Sequence, residues 1–376
     1  MPDQNLGHDG GLKRAIIAAA GLFVLSRGLM TLIAWLSTSV IAKERFFANS
    51  GTFFGNLFGF DANWYMHIVR EGYSWQARGE SSLAFFPLYP LLVRMLSATG
   101  LPDAVVAVAL SNLFFLGALI MLYRLTEHET GDEKTALYAA ALLAFYPGSM
   151  YCSIAYTEAM FLFLSITAFY CARTGRWLAA AALCGALSAT RSSGVLMALP
   201  VLYEYALPNG LRGGLRSPLF SRTVAVFALL PSGLAAYMAF LWYRFGDPLL
   251  FMKAQGGWGR RLSWVWETFA TVGQHEMFYR FLFIGSACFL LLACIMMCVL
   301  RMRGSYILYS VVSWLFFVSF FYLEGIMRFV GVVFPMYIAL AIVSRRRPML
   351  YTALLAAFAM LMAVSAVMFA NGYWLT

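Results

Sequence analysis

An all-α, polytopic transmembrane fold is predicted by this sequence, and three observations carry the prediction. Hydrophobic residues make up 62% of the 376 positions. Charged residues make up only 12%, about half the share of an ordinary soluble domain. Apolar stretches near the ~20 residues that cross a bilayer recur from 15–42 to 349–369. Residues 1–376 therefore read as a single integral membrane domain, with no soluble domain between the stretches.

The first stretch follows Lys13 and Arg14 but is far longer than a signal-peptide core, and no small-x-small cleavage site follows it, so it reads as a retained first helix. Helices are expected at 15–41, 104–124, 134–147, 158–173, 177–190, 193–206, 223–244, 280–300, 305–323, 327–344 and 349–369, about eleven in all, some shorter than a full span. Placing short basic loops inside gives one consistent topology, with Lys13/Arg14, Arg124/Lys134, Arg173/Arg176, Arg212/Arg216/Arg222, Arg301/Arg303 and Arg345–Arg347 cytoplasmic. The N-terminus is then inside and the C-terminus outside.

Two long segments remain outside, 43–103 and 245–279, and they are the large polar surfaces available for chemistry. Within the first, Phe85–Ser97 (FFPLYPLLVRMLS) is apolar but short and contains Arg94, which suits an interfacial helix; a true span there would invert everything after it. Glu127, Glu129, Asp132 and Glu133 make the inside loop before Lys134 acidic, and a solvated helix end accounts for Glu127-His128-Glu129. The two halves share no sequence repeat, which lowers the expectation of an inverted-repeat transporter.

The net charge of +10 is gathered at helix ends rather than in a basic run among aromatics, so it reads as orientation and not as nucleic-acid binding. The six cysteines lie mostly within apolar helices, have no CxxC spacing, and read as packing residues. No Asn-x-Ser/Thr sequon occurs, which favours a bacterial cytoplasmic membrane over a glycosylating compartment. The P-loop, GxGxxG, HExxH and Asp-x-Asp patterns are missing, and His8, His67 and His275 have no metal-ligand spacing; neither a metal nor a soluble nucleotide cofactor is expected.

The stretch FDANWYMHIVREGYSW (60–75) sets Asp61, His67, Arg70 and Glu71 among aromatics in the first outer loop. Asp61 precedes a helical pattern, so helix capping and acid–base chemistry are both open to it, and the two are compatible. Glu158 opens the helix after the Pro147-Gly148 break, where a negative charge also suits the helix dipole. Arg191 in ATRSSG (189–194) precedes free helix N–H groups suited to a phosphate, with snorkelling to lipid headgroups as the alternative. Arg328 lies at the same depth, where Glu324 four residues earlier is a possible partner. Arg27 differs: it lies about twelve residues, roughly 18 Å, along the first helix. A cation at that depth is a functional candidate by default, with no partner identifiable from its neighbours.

Taken in order, FDANWYMHIVREGY (60–73), AFFPLYPLL (84–92), SNLFFLGALIMLYRL (111–125), YPGSMYCSIAYTEAMF (146–161), ATRSSG and, more loosely, RFVGVVFPMY (328–337) resemble the PIG-V type mannosyltransferases. The family usually has Trp-Asp where this chain has Phe60-Asp61, which keeps an aromatic and the acid. The likeness is strong over 60–200 and weak in the last third. It implies a GT-C architecture and a polyprenyl-phosphate-mannose donor, used outside the membrane on a glycan or glycolipid acceptor. By the same resemblance Asp61 is the general base of an inverting transfer, with Arg191 and Arg328 at the donor phosphate. Glu158, Trp64, Tyr65, His67 and Tyr89 are then substrate-binding candidates, although aromatics at this depth also serve as interface anchors. Two other classes stay open: a transporter or lipid flippase, and a non-catalytic assembly subunit.

Overall fold

The structure, a computed structural model, describes residues 4–41, 58–76, 79–209, 218–373 and 375. Among these it is all-helical, with one isolated antiparallel bridge between Leu262 and Phe320. The helices are α1 Gln4–Val40, α2 Asp61–Glu71, α3 Leu88–Ser97, α4 Asp103–Thr130, α5 Glu133–Phe145, α6 Glu158–Arg173, α7 Trp177–Ser188, α8 Ala198–Asn209 and α9 Pro218–Leu229. They continue as α10 Ser232–Phe245, α11 Leu250–Gly256, α12 Val265–Val272, α13 Met277–Val299, α14 Gly304–Val318, α15 Ile326–Gly331, α16 Pro335–Arg345 and α17 Pro348–Ala370.

The apolar stretches divide by position in the bundle. α5, α6 and α16 are buried on nearly every face and pack with α4 as the centre. Helices hydrophobic all round belong there, because no side of them meets solvent. α1, α4, α13 and α17 are longer and turn Val24, Leu25, Leu113, Leu292 and Met360 outward, the pattern of surfaces bathed in lipid.

About eleven helices are expected from the sequence, some shorter than a full span, and length does not confirm that number as membrane crossings. Among the described residues four helices are long and apolar enough to cross a membrane, or up to six if each of two bent pairs forms one span. Local chemistry explains the shortening. Pro147 and Pro335 begin new helical segments because proline lacks an N–H and disfavours helix in the preceding residue. Pro231 likewise parts α9 from α10 at a bend of 52°.

The sharper break lies between α5 and α6, where a 3₁₀ turn, Pro147–Ser153, meets α6 at 101°. Arg27 holds this break. Its Nη2 donates to Ala144 O at 2.6 Å and to Ser149 Oγ at 2.9 Å; its Nη1 donates to Ser149 O at 2.7 Å and to Ser153 Oγ at 3.2 Å. The guanidinium also lies 4.7 Å from the centroid of Phe115. A helix end left open among apolar side chains needs donors for its carbonyls, and Arg27 on the neighbouring helix supplies them. That is the partner its sequence neighbours do not reveal.

Ion pairs fix the two poles of the bundle. At one pole Arg14 meets Glu133 (2.7 Å), Arg345 meets Asp132 (2.8 Å), and Glu129 receives Arg173 (2.5 Å) and Arg303 (3.5 Å). The loops assigned to one side by charge thus sit together, except 212–216, which lie outside the described residues, as does the side chain of Arg222. α4 runs on to Thr130, so Glu129 is no solvated helix end; it is largely buried between two arginines. At the other end of α4, some 40 Å away at 1.5 Å per residue, Asp103 pairs with Arg70 of α2.

Phe85–Ser97 yields the ten-residue helix α3, which buries Tyr89 and Val93 and leaves Leu91, Met95 and Leu96 outward. The segment 245–279 carries α11 and α12, with Trp264 and Trp266 stacked and exposed. Of the segment 43–103, expected outside, residues 43–57 and 77–78 lie outside the described residues.

Candidate active site

Asp61 is the first residue of α2, and it follows an unusual backbone: Phe60 has φ 58° and ψ −127°. A bulky residue held there costs about 1–3 kcal/mol, which the surroundings must impose. Phe60 packs on Phe369 of α17, while the Tyr156 hydroxyl accepts from Asp61 N (3.3 Å) and donates to Gly59 O (3.5 Å). Phe60, not Asp61, occupies the capping position, and no side chain caps this helix. The Asp61 carboxylate points instead to Arg328, whose Nη1 donates to Oδ2 at 2.5 Å.

Arg328 is delivered by the short helix α15. Gly325 precedes it with φ 73°, a conformation that favours glycine, and a Cβ there would crowd Arg328 Nε at 3.0 Å. The alternative pairing with Glu324 does not form; Arg328 Nε faces Glu158 Oε1 at 3.8 Å. Glu158 Oε1 also accepts from Arg191 Nη1 at 2.5 Å. The order is Arg191, Glu158, Arg328, Asp61: alternating charges from four distant parts of the chain. Arg191 therefore pairs with a buried carboxylate rather than reaching for headgroups.

Arg191 reaches this row because α7 ends in a tight turn against the next 3₁₀ segment, Ser192–Met197. A Cβ on Gly194 would sit 2.1 Å from Leu187 O, so ATRSSG needs its glycine for close backbone approach. One ring, Phe329, collects three guanidinium groups: Arg191 at 4.9 Å, Arg328 at 5.0 Å and Arg260 at 5.1 Å from its centroid. The ring face attracts cations, which favours their gathering here. Glu158 Oε2 and Arg328 Nε are buried and lack hydrogen-bond partners among the described residues, leaving the row incompletely satisfied.

A cavity of about 590 Å³ opens over this row. Asp61, Arg191 and Arg328 line it together with Tyr65, Trp258 and Arg260. Arg261 and Glu324 also border it, and the rest of the wall is largely aromatic and aliphatic. Burial and the like charge of Arg328 pull the Arg260 pKa down to about 10. Burial raises the pKa of Glu324, which lies between helices.

Of the eight residues singled out from the sequence, Asp61, Glu158, Arg191 and Arg328 converge, and Tyr65 borders the same cavity with its hydroxyl 3.3 Å from Thr157 Oγ1. The other three sit elsewhere. Trp64 stacks on Phe85 and meets Trp258 edge-on, behind the cavity wall. Tyr89 is fully buried, bonded to Ala107 O and Ser111 Oγ. His67 faces Glu71 at 3.3 Å along α2. Sequence reading missed Trp258, Arg260 and Arg261. The available signal was their sign: Arg260-Arg261 is a basic pair in a loop assigned to the side that basic residues avoid.

Residues 36–205 match the family model described as Mannosyltransferase (PIG-V). GPI mannosyltransferase 2 of Drosophila pseudoobscura pseudoobscura is 36% identical over 117 residues, 28% of this chain and 25% of that protein. GPI mannosyltransferase 2 of Yarrowia lipolytica is 33% identical over 115 residues, 30% of this chain and 32% of that protein. GPI alpha-1,6-mannosyltransferase 2 of Cricetulus griseus is 31% identical over 152 residues, 38% of this chain and 30% of that protein. The chain thus spans less than a third of the length of these curated relatives. The family match contains Asp61, Glu158 and Arg191; Arg260 and Arg328 lie beyond it.

Proposed function

With a PIG-V mannosyltransferase segment over residues 36–205 as the premise, we propose that this membrane protein is an inverting mannosyltransferase. It takes mannose from a polyprenyl-phosphate-mannose donor and attaches it to a lipid-linked or glycan acceptor. The reaction runs on the non-cytoplasmic face of a bacterial cytoplasmic membrane, at the pole remote from the clustered basic loops.

The observation that carries this reading is the cavity itself, which sets a carboxylate beside several guanidinium groups inside an apolar, aromatic wall. Asp61 Oδ2 is held by Arg328, and its Oδ1 has no hydrogen bond to any described residue. We assign Oδ1 as the general base. It removes the proton of an acceptor hydroxyl as that oxygen bonds to the anomeric carbon. The bond from that carbon to the phosphate oxygen breaks, its electron pair stays with the phosphate, and a β-mannosyl phosphate becomes an α-mannoside. Cations fixed around the cavity oppose the charge that grows on the phosphate. No cofactor is needed in this scheme.

A transporter would distribute ionisable groups at mid-membrane, and apart from Arg27 the suggestive ones here gather at one face. Arg27 itself is engaged by the backbone carbonyls of a broken helix. The test is transfer from synthetic polyprenyl-phosphate mannose by the purified chain, wild type against Asp61→Asn. Undiminished transfer by Asp61→Asn would overturn the base assignment, and no sugar release from any prenyl-phosphate donor would overturn the enzyme reading.

A further inference from the structure

The two arginines expected at the donor phosphate are already engaged. Arg191 holds Glu158, and Arg328 lies between Glu158 and Asp61. Two further guanidinium groups border the same cavity without such partners. Arg260 and Arg261 make no side-chain hydrogen bond or ion pair with any described residue; they rest only on aromatic faces, Arg261 4.2 Å over Phe321 and Arg260 over Phe329.

Their loop is built rather than draped. Arg260 N donates to Gln255 O (3.1 Å), Phe321 N to Arg261 O (3.0 Å), and Ser263 N to Ser319 O (2.9 Å), around the Leu262–Phe320 bridge. Thr268 and Thr271 of α12 donate their hydroxyls to Phe320 O and Phe321 O. The backbone that presents both guanidinium groups is thus ordered before a ligand arrives, which lowers the ordering cost of binding. Beside them Trp258 carries a buried Nε1–H without an acceptor among the described residues.

Charge bookkeeping points the same way. Arg191, Arg260, Arg261, Arg328, Asp61 and Glu324 line the cavity, and with Glu158 paired to Arg191 behind it the cluster has an excess of one positive charge. A phosphodiester carries one negative charge. The surplus matches the donor before reaction, and donors at hydrogen-bonding distance, rather than further net charge, meet the second charge as the bond to the sugar breaks. From this site the apolar wall of Phe316, Phe317 and Phe320 leads to Leu262, which is exposed next to the stacked Trp264 and Trp266, an aromatic surface of the kind that sits at a membrane boundary.

We infer that Arg260 and Arg261 receive the phosphate of a polyprenyl-phosphate lipid, while Arg191 and Arg328 position the carboxylates Glu158 and Asp61. This rests on the proposed donor class and moves the phosphate contact to residues outside the family match. The test is binding by the full chain in phosphatidylcholine nanodiscs, comparing a long-chain polyprenyl phosphate, the uncharged polyprenol and inorganic phosphate. Wild type should prefer the polyprenyl phosphate to the polyprenol, and Arg260→Gln/Arg261→Gln should cut that preference about tenfold to hundredfold. Replacement of both by Lys should restore part of it.

A preference left intact in the Gln variant, with wild type transferring mannose normally, would overturn the inference and leave the donor reading standing. No preference and no transfer in wild type would overturn both. Inorganic phosphate competing as well as the lipid would overturn the lipid assignment.

Discussion

Replacing Arg27 with Met removes a guanidinium from the interior and keeps most of the side chain's reach. Ala144 O and Ser149 O each lose a charged donor, at 2.6 and 2.7 Å, and Ser149 Oγ and Ser153 Oγ lose one each. A hydrogen bond to a charged group contributes about 1.5–3 kcal/mol. Two considerations reduce the sum. Ser149 Oγ still donates to Ala144 O at 3.0 Å, and a buried cation no longer has to be desolvated. A net destabilisation of about 2 kcal/mol remains. The break carries Tyr151, Tyr156 and Glu158 into the cavity region, so its loosening should lower kcat for mannosyl transfer about tenfold. The donor KM should change little, because Arg260 and Arg261 lie on another element. Thermal unfolding of the full chain in detergent and steady-state kinetics read the two effects. An unchanged midpoint together with an unchanged kcat would refute the view that Arg27 holds the break.

Asp61→Asn should lower transfer by about 10²–10⁴-fold while polyprenyl-phosphate affinity stays within a few-fold, read by radiolabelled mannose transfer and lipid binding. Gly194→Ala places a Cβ 2.1 Å from Leu187 O and should destabilise the chain by about 1–3 kcal/mol, visible as a lower unfolding midpoint. Glu324 has its pKa raised by burial above the ordinary 4.5, so the stability linked to it is present below that value and is lost as pH rises through the raised one. Glu324→Gln should therefore flatten the fall in unfolding midpoint between acid and neutral pH. For orientation, a membrane-impermeant thiol reagent applied from outside should label Glu80→Cys but not Arg346→Cys in a chain whose native cysteines are replaced. Both sites labelled from one side would refute the topology; Ser81, next to the first site, is too buried to serve.

The apolar stretches made the helical membrane fold legible, and 158–173 emerges with the bounds its composition suggested. Proline and glycine marked the breaks but not how many segments cross the bilayer, because a kinked or enclosed helix meets protein where a lone one meets lipid. At the site, motif order brought Asp61, Glu158, Arg191 and Arg328 into one reading. Their pairings were not legible: Arg328 meets Asp61 across 267 residues, while its sequence offers Glu324 four residues away. Arg260 and Arg261 reach the cavity through a bridge between two loops, a contact with no periodic signature. Tyr89 failed as a cavity residue for the opposite reason, since its aromatic spacing is the same whether it faces a sugar or, as here, the side of α4.

The alternating row from Arg191 to Asp61 restricts how this chain can diverge. Exchanging one member leaves an odd charge in a poorly solvated place, at a cost of several kcal/mol. Substitution is then tolerated mainly in compensating pairs, an acid and its base leaving together. Sequence drift at one of these four positions would be legible at its partner, 33 residues away for Arg191 and Glu158 and 267 for Arg328 and Asp61, long before either change touched the reaction.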